Sequence, residues 1–238
     1  MSSTYLSLTN ELLRRLNEVE LDSTTFDNAR NVQALAKDAI NSSVRELLHS
    51  GQEWPFTITT YNQTLTIAEG LYSFPDDLGS VDWESFYLKQ LNNSNIPGKR
   101  DAISYPEYIE RYRGQDEQAG TGGYSSPVIV YMTQESKFGV SPLPDQAYVI
   151  EYKYWRFPTS LVLTTDVCIV PDRFKNVIID GAMMFMMLFR SNEQSATLHK
   201  ANFDQGIKTM RRLLMDEPLS VRSTMLTKPI VSLRVTNG

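Results

Sequence analysis

The clearest helical pattern in this chain is VQALAKDAINSSVRELL, residues 32–48. Its apolar side chains form one stripe at helical spacing: Val32, Leu35, Ala36, Ala39, Ile40, Val44, Leu47 and Leu48. Charged residues occupy the opposite side, so the stretch predicts an amphipathic helix with one face on a core. Gly51 can cap the C-terminal end of this helix, and Pro55 prevents its continuation.

Similar patterns lie on both sides of that stretch. The first precedes it, is followed by a break at residues 17–23, and contains Leu8, Leu12, Leu13, Leu16 and Val19. A second begins at Pro171-Asp172 and contains Phe174, Val177, Ile178, Ala182, Phe185, Met186 and Phe189. The last contains Phe203, Ile207, Met210 and Leu214. These patterns predict a helical bundle assembled from the two ends of the chain.

Residues 55–167 differ from the helical stretches in composition and in hydrophobic pattern. They hold 11 of the 12 tyrosines, and apolar and polar residues alternate along them, which is typical of half-buried strands. The strand-like runs are residues 57–59, 64–67, 71–74, 85–88, 128–132 and 147–157. Ser104 and Glu107 form a capping box, which predicts one short helix that runs to about Arg113 and ends at Gly114. The glycine-containing residues 115–126 are predicted to be a mobile loop.

The predicted fold class is α+β: a helical bundle with an inserted antiparallel β-rich module and an extended C-terminal arm. The predicted domains are the N-terminal helices of the bundle (1–54), the β-rich module (55–167), the C-terminal helical hairpin (168–217) and the arm (218–238). The arm contains three basic residues and no acidic residue, whereas residues 55–167 have a net charge of −6. A basic arm is therefore attached to an acidic body.

Length and composition exclude several classes of protein. The chain has 238 residues, a net charge of −5 and a single cysteine, Cys168, so an intrachain disulfide and a cysteine-rich zinc site are excluded. The longest apolar stretch, residues 177–189, is too short to cross a bilayer, which takes about 20 residues. The first residues do not resemble a signal peptide. We expect a protein that is not secreted, contacts no membrane and needs no cofactor.

The residues that could carry catalysis or binding all have a structural role as their preferred interpretation. Cys168 lies in an apolar run and is expected to be a buried small side chain. His49 is expected at a helix end, and His199 on an apolar face as a satisfied core or interface histidine. Asp82 with Glu84 on one strand face, and Glu107 with Glu110 on the short helix, could act as paired carboxylates, but solvated surface acids are the preferred interpretation. Methionines 183, 184, 186 and 187 are expected to fill the core, with an adaptable protein-binding face as the alternative.

Several passages occur in a recognisable order. They are LLRRLNEV (12–19), AKDAINSSVREL (36–47), EWPF (53–56), YSFPDDL (72–78), VDWESF (81–86), PDRF (171–174) and FDQGIKTM (203–210). Their order and spacing resemble the head-to-tail adaptor of short-tailed bacteriophages, the tail tubular protein A family. The resemblance covers most of residues 5–215.

The resemblance implies a structural protein of the virion, assembled in the cytoplasm of the bacterial host, without a catalytic or metal site. Such adaptors form a twelve-membered ring under the portal protein, carry the tail nozzle protein and leave a channel for double-stranded DNA. Ring interfaces are expected on the bundle flanks, residues 26–50 and 171–215, with the β-rich module towards the nozzle. The acidic body is expected to line the channel and let DNA slide past.

The arm has an expected role in this assembly. It is predicted to become ordered only against the portal or a neighbouring subunit, as disordered segments do when they fold on binding. Its candidate binding residues are Arg222, Lys228, Ile230, Leu233 and Arg234.

Three alternatives stay open at this stage. The chain could be another tail component, such as a nozzle, stopper or tail-completion protein. It could be a polysaccharide-degrading tail enzyme with Asp82 and Glu84 as its acid pair, since glycosidases use two carboxyls about 5–9.5 Å apart. It could also be a DNA-binding regulator, whose binding would weaken steeply with salt.

Overall fold

A computed structural model describes residues 3–50, 53–89, 97–118, 123–133 and 137–215. Its helices are α1 (Tyr5–Arg15), α2 (Val32–Leu48), α3 (Tyr105–Arg111), α4 (Arg113–Gln118), α5 (Lys175–Phe189) and α6 (Glu193–Leu214). Its strands are β1 (Ile58–Thr64), β2 (Leu71–Ser73), β3 (Leu78–Leu88), β4 (Gly98–Lys99), β5 (Asp101–Ile103), β6 (Ile129–Met132), β7 (Lys137–Ser141) and β8 (Val149–Arg156). The α+β class predicted from the sequence is confirmed.

Helices α1, α2, α5 and α6 pack around one hydrophobic core, because each has its apolar stripe on the inside. Leu12, Ile40, Ile178 and Met210 are fully buried in it. The predicted stripe of α2 is confirmed, and so is the core position of the methionines: Met183, Met184 and Met186 are buried, and Met187 packs partly buried against the same core.

The first helix ends just before the predicted break at residues 17–23, but its apolar stripe is shorter than predicted. Helix α1 ends at Arg15, Asn17 takes a left-handed conformation with φ of 57°, and Val19 is 77% exposed. The Asn10 side chain donates to the Leu21 carbonyl and accepts from the Leu21 amide, at 2.7 and 2.9 Å. These two bonds hold the chain that follows the turn at Asn17 against helix α1. The prediction that Val19 continues the apolar stripe is therefore wrong.

Residues between α2 and α5 form two four-stranded sheets that share a second core. One sheet has the strand order β1-β8-β3-β4, and the other has β2-β7-β6-β5. All pairs are antiparallel except β5 with β6, which is parallel. The core between the sheets is aromatic: Phe86 lies 4.9 Å from Tyr152 and 5.5 Å from Phe138, ring centre to ring centre. Such ring pairs add about 0.5–1.5 kcal/mol each beyond the area they bury.

Two predictions around the short helix need correction. Ser104 caps α3 as predicted, accepting the Glu107 amide, but the chain does not leave the helical path at Gly114. After Tyr112 it forms α4 (Arg113–Gln118), so residues 115–118 of the predicted loop are helical. The reason is tertiary: the Asp116 carboxylate accepts hydrogen bonds from the hydroxyls of Tyr108 and Ser141, at 3.1 and 3.0 Å, and ties this turn to β7. These contacts override the helix-ending tendency of glycine.

Other boundaries also differ from the sequence patterns. The run 64–67 is not a strand, because the chain leaves β1 after Thr64 and the Leu65 amide donates to the Tyr148 carbonyl. Strands β4, β5 and β7 were not predicted. In β7, Gly139 lies against the Tyr131 ring, and a β-carbon at that position would come within 2.1 Å of the ring. Glycine weakens the local strand signal, and the pairing of β7 with both β2 and β6 compensates for it.

The buried tyrosines predict a loss of stability at alkaline pH. Burial raises the pKa of Tyr5, Tyr131 and Tyr152, and burial together with a hydrogen bond to Asp77 raises the pKa of Tyr154 to about 12. In the unfolded chain a tyrosine titrates near pH 10. The folded state therefore holds these protons more tightly, and its stability should be full below pH 10 and fall as the pH rises towards 12. Urea unfolding at pH 8, 10, 11 and 12 measures this.

A control variant separates this effect from general alkaline damage. Tyr154→Phe removes one ionising hydroxyl from the set. The slope of unfolding free energy against pH between 10 and 12 should then become shallower than in the parent chain. An unchanged slope would mean that Tyr154 does not take part.

Candidate functional site

A cleft of about 600 Å³ lies between the C-terminal half of α2 and the segment that follows β8. Its charged lining residues are Arg45, Asp77, Arg156 and Asp166, and His49 stands at its edge. Polar and apolar side chains line the cleft in similar measure. Its two basic and two acidic side chains give no single sign of charge that would select a small ion.

Segment 157–169, which forms one wall of the cleft, is held firmly in place. Asn41 on α2 bonds both the amide and the carbonyl of Leu161, at 2.9 and 3.0 Å. The Asp166 carboxylate accepts the amides of Val162 and Leu163, and these bonds lower the pKa of Asp166. The N-terminal residues then join the far end, since the Cys168 amide donates to the Ser3 carbonyl. A segment with this many bonds presents its side chains in fixed positions.

Four apolar side chains of this segment are exposed to solvent. Phe157, Val162, Leu163 and Val167 are between 42% and 67% exposed. Four exposed apolar side chains on one fixed segment are unusual for a monomer surface, where such groups are usually scattered. We define Phe157, Val162, Leu163 and Val167 as the apolar rim of the cleft. The rim is a candidate protein-contact surface.

A second exposed apolar group lies at the turn between α5 and α6. Leu188 and Phe189 are 52% and 59% exposed at the end of α5. The next residue, Arg190, donates to the Glu18 carboxylate at 2.7 Å and so fixes this end of the hairpin against the chain that follows α1. This places a second candidate contact surface on the bundle flank.

The predicted arm residues cannot be placed. Arg222, Lys228, Ile230, Leu233 and Arg234 all lie outside the described residues, as does Gly51, the predicted cap of α2. The assignment of the arm to the portal or a neighbouring subunit stays a prediction.

The carboxylate pair Asp82 and Glu84 does not form a sugar-binding cleft. The Asp82 carboxylate accepts the amide of Glu84, and the Glu84 carboxylate is 90% exposed and lies 3.6 Å from the Lys99 ammonium group. The cavity beside Asp82 has a volume of about 20 Å³, which is smaller than one sugar ring. The geometry favours the interpretation of this pair as surface acids.

The second carboxylate pair also lies at the surface, although Glu107 is only partly exposed. Glu107 pairs with Arg111 one helical turn away, at 2.8 Å, instead of reaching back to the Ser104 amide, so only half of the predicted capping box forms. Glu110 is exposed. Neither residue lines any of the cavities described above.

The histidines and the cysteine have structural surroundings. His49 caps the C-terminal end of α2 and its ring stacks on Phe157, with ring centres 4.9 Å apart. His199 is partly buried, and its Nδ1 lies 3.3 Å from the Asp180 carboxylate on α5, so it is a satisfied interface histidine as predicted. Cys168 is buried, and burial raises the pKa of its thiol, which keeps it in the unreactive protonated form.

The described residues form neither a metal site nor a membrane-spanning helix. No group of three or more histidine, cysteine or acidic side chains among them could hold a metal ion. No described helix is long and apolar enough to span a membrane.

The comparison with known families identifies the class of protein. The chain matches the family described as SU10 adaptor protein over residues 3–224, a range that contains every described residue. It is therefore a structural adaptor protein of a bacteriophage virion, which assembles with other phage proteins. The chain belongs to the SU10 adaptor protein family. No curated protein matches it.

The sequence patterns missed the apolar rim. The signal was present as FPTSLVLTTDV, residues 157–167, in which apolar residues follow neither a helical nor a strand period. Apolar residues that follow no period among polar ones indicate a loop rather than a helix or a strand. The cleft itself joins residues more than 100 positions apart in the chain, so only the fold could reveal it.

Proposed function

We propose that this adaptor is the head-to-tail connector of its virion: a ring, of twelve copies by the resemblance to tail tubular protein A, that joins the portal to the tail nozzle. The observation that carries the proposal is the family match over residues 3–224. In this assembly the protein is a binding module and not an enzyme. The channel of the ring lets double-stranded DNA pass without specific recognition.

The two exposed apolar surfaces support a ring. A closed ring needs heterologous interfaces, in which one surface of a subunit meets a different surface of the next. The apolar rim and the α5–α6 turn are two such surfaces with different residues, and each is held by hydrogen bonds in the single chain. A permanent interface typically buries about 2,000–5,000 Å², so these apolar groups would form the centre of a larger contact.

The arm residues complete the proposal. Arg222, Lys228, Ile230, Leu233 and Arg234 bind the portal or a neighbouring subunit when the ring assembles. The arm is basic and the rest of the chain is acidic, so the arm is attracted by an acidic protein surface.

Mass photometry with and without the portal protein tests the proposal. One chain has a mass of 27.1 kDa, so a closed ring of twelve should appear at about 325 kDa, or as that increment on the portal. A chain ending at residue 217 keeps every described residue and serves as the control; it should stay folded by circular dichroism and fail to dock. A monomeric chain that binds neither portal nor nozzle would contradict the proposal.

A further inference from the structure

Strand β1 is a long sheet edge with one side unpaired in the described structure. It is the end strand of its sheet and pairs with β8 through all seven of its residues, Ile58 to Thr64. The other three edge strands, β2, β4 and β5, have only two or three residues each. An unpaired strand of seven residues exposes a row of amide and carbonyl groups that can pair with another chain.

The edge lacks the devices that usually prevent such pairing. The sequence of β1, ITTYNQT, contains no charged residue and no proline, and all seven of its residues pair with β8 in continuous register, so no bulge interrupts it. Natural edge strands are commonly protected by lysine, proline, bulges or covering loops. A long, regular, uncharged edge is therefore suited to accept a strand.

The inner face of β1 is also incompletely covered. Tyr61 is opposite Tyr152 in the sheet, and its ring lies 5.7 Å from the Tyr152 ring, so it faces the aromatic core. Nevertheless, Tyr61 is 37% exposed, whereas Tyr152 is completely buried. The core is thus open at this edge, and one more strand with apolar side chains on its inner face would close it.

The C-terminal arm contains a segment with the matching pattern. Along PIVSLRV, residues 229–235, Val231, Leu233 and Val235 would share one face of a strand, and Ile230, Ser232 and Arg234 the other. Pro229 comes first, where a strand tolerates proline. The arm also carries three positive charges towards a β-rich region with a net charge of −6.

From these observations we infer that residues 230–235 of one copy add a strand to the free edge of β1 in the neighbouring copy. The choice of the neighbouring copy rests on the proposed ring. Pairing of the arm with β1 of its own chain would also close the edge, but it would give no contact between subunits. After helix α6 ends at Leu214, 15 residues precede Ile230, and an extended chain of that length spans up to about 50 Å. That reach is sufficient to cross a subunit boundary. Main-chain hydrogen bonds provide the affinity, and Tyr61 contacts the apolar face of the added strand.

Cross-linking of mixed chains tests which copy supplies the strand. One full-length chain carries Gln63→Cys, the other Leu233→Cys, and both carry Cys168→Ala to remove the native thiol. Only pairing between copies can join the two, so oxidation of the mixture should give a disulfide-linked dimer on a non-reducing gel. Arg222→Cys in place of Leu233→Cys is the matched control, since it lies outside the paired segment. Equal yields from both pairs, or no dimer, would overturn the inference.

Hydrogen exchange with an added peptide tests the edge independently of the ring. A peptide of residues 218–238, added to the chain ending at 217, should slow exchange of the amides of residues 58–64 by on the order of tenfold or more, and leave β5 unchanged. A peptide with Val231→Pro and Ser232→Pro should have no effect, because one of the two missing amides faces β1 in either orientation. In the protein, Tyr61→Lys should abolish the protection and Asn62→Lys on the outer face should keep it.

The outcomes separate the two proposals. If the peptide protects β1 but no ring forms with the portal, the connector proposal fails and the strand-accepting edge stands. If a ring forms while β1 exchanges equally fast with and without the arm, the edge inference fails and the connector proposal stands.

Discussion

Replacing Trp54 by alanine should reduce the free energy of unfolding by about 3–5 kcal/mol, the usual cost of truncating a large buried aromatic residue. Trp54 is 1% exposed and belongs to the helical core, although it lies between α2 and β1 in the chain. Its indole N–H donates to the Leu47 carbonyl at 3.2 Å, and its backbone carbonyl accepts both the amide and the hydroxyl of Thr57.

The position of Trp54 explains why the cost should be large. The indole already borders a cavity of about 230 Å³, so its removal would enlarge an existing void that the surrounding structure is poorly able to fill. Removal also takes the indole donor from the Leu47 carbonyl at the end of α2, which keeps the Ser50 hydroxyl as a donor at 2.7 Å. Since a domain has a total stability of about 5–15 kcal/mol, this one substitution would remove a substantial part of it.

Two comparison variants make the test specific. Trp54→Phe keeps most of the aromatic volume but removes the donor to Leu47, and should cost less, about 1–3 kcal/mol. Phe157→Ala truncates an aromatic residue that is 42% exposed nearby, and should change stability by no more than about 1 kcal/mol. Urea unfolding followed by far-UV circular dichroism gives all three values. A Trp54→Ala chain as stable as Phe157→Ala would contradict the assignment.

The helices were predictable from sequence because their signals are local. The apolar stripe of α2 repeats over 17 residues, and its observed bounds, Val32–Leu48, coincide with the first and last residues of that stripe. Helix α1 shows where prediction from hydrophobic periodicity fails. Val19 continues the period, but Asn17 and the bonds from Asn10 to Leu21 turn the chain before it, and no helical period encodes these side-chain contacts.

Strands were less predictable because pairing, not local pattern, stabilises them. Strand β7 contains Gly139 and becomes a strand only between β2 and β6, where the Tyr131 ring covers the glycine. The candidate surfaces depend even more on the fold. The exposure of Val162 and Leu163 follows from the bonds that Asn41 and Asp166 make to their segment, and periodicity cannot reveal it.

Replacing Gly181 by alanine should have the second large effect on stability. At this position helix propensity predicts a gain in stability, whereas packing between the helices predicts a loss. In the middle of a helix such as α5, replacing glycine by alanine normally stabilises by about 1 kcal/mol. In this bundle a β-carbon at Gly181 would lie 2.3 Å from the Ser43 hydroxyl of α2 and 2.9 Å from the Phe203 ring of α6. Ser43 is completely buried and donates to the Ile178 carbonyl at 2.7 Å. Neither neighbour can move without separating helices, so we expect a net loss.

Overpacking costs about 1–3 kcal/mol, and a broken buried hydrogen bond costs about 1–3 kcal/mol more. After the gain in helix propensity of about 1 kcal/mol, Gly181→Ala should therefore destabilise the chain by about 1–5 kcal/mol. Gly114→Ala in α4 is the matched control: no atom lies within 4 Å of the added methyl group, so that variant should gain about 0.5–1 kcal/mol. Ser43→Ala removes the atom closest to the new methyl group, so the double variant Ser43→Ala with Gly181→Ala should lose less than the sum of the single losses. Strictly additive losses, or a Gly181→Ala chain as stable as Gly114→Ala, would mean that α2, α5 and α6 do not meet at this glycine.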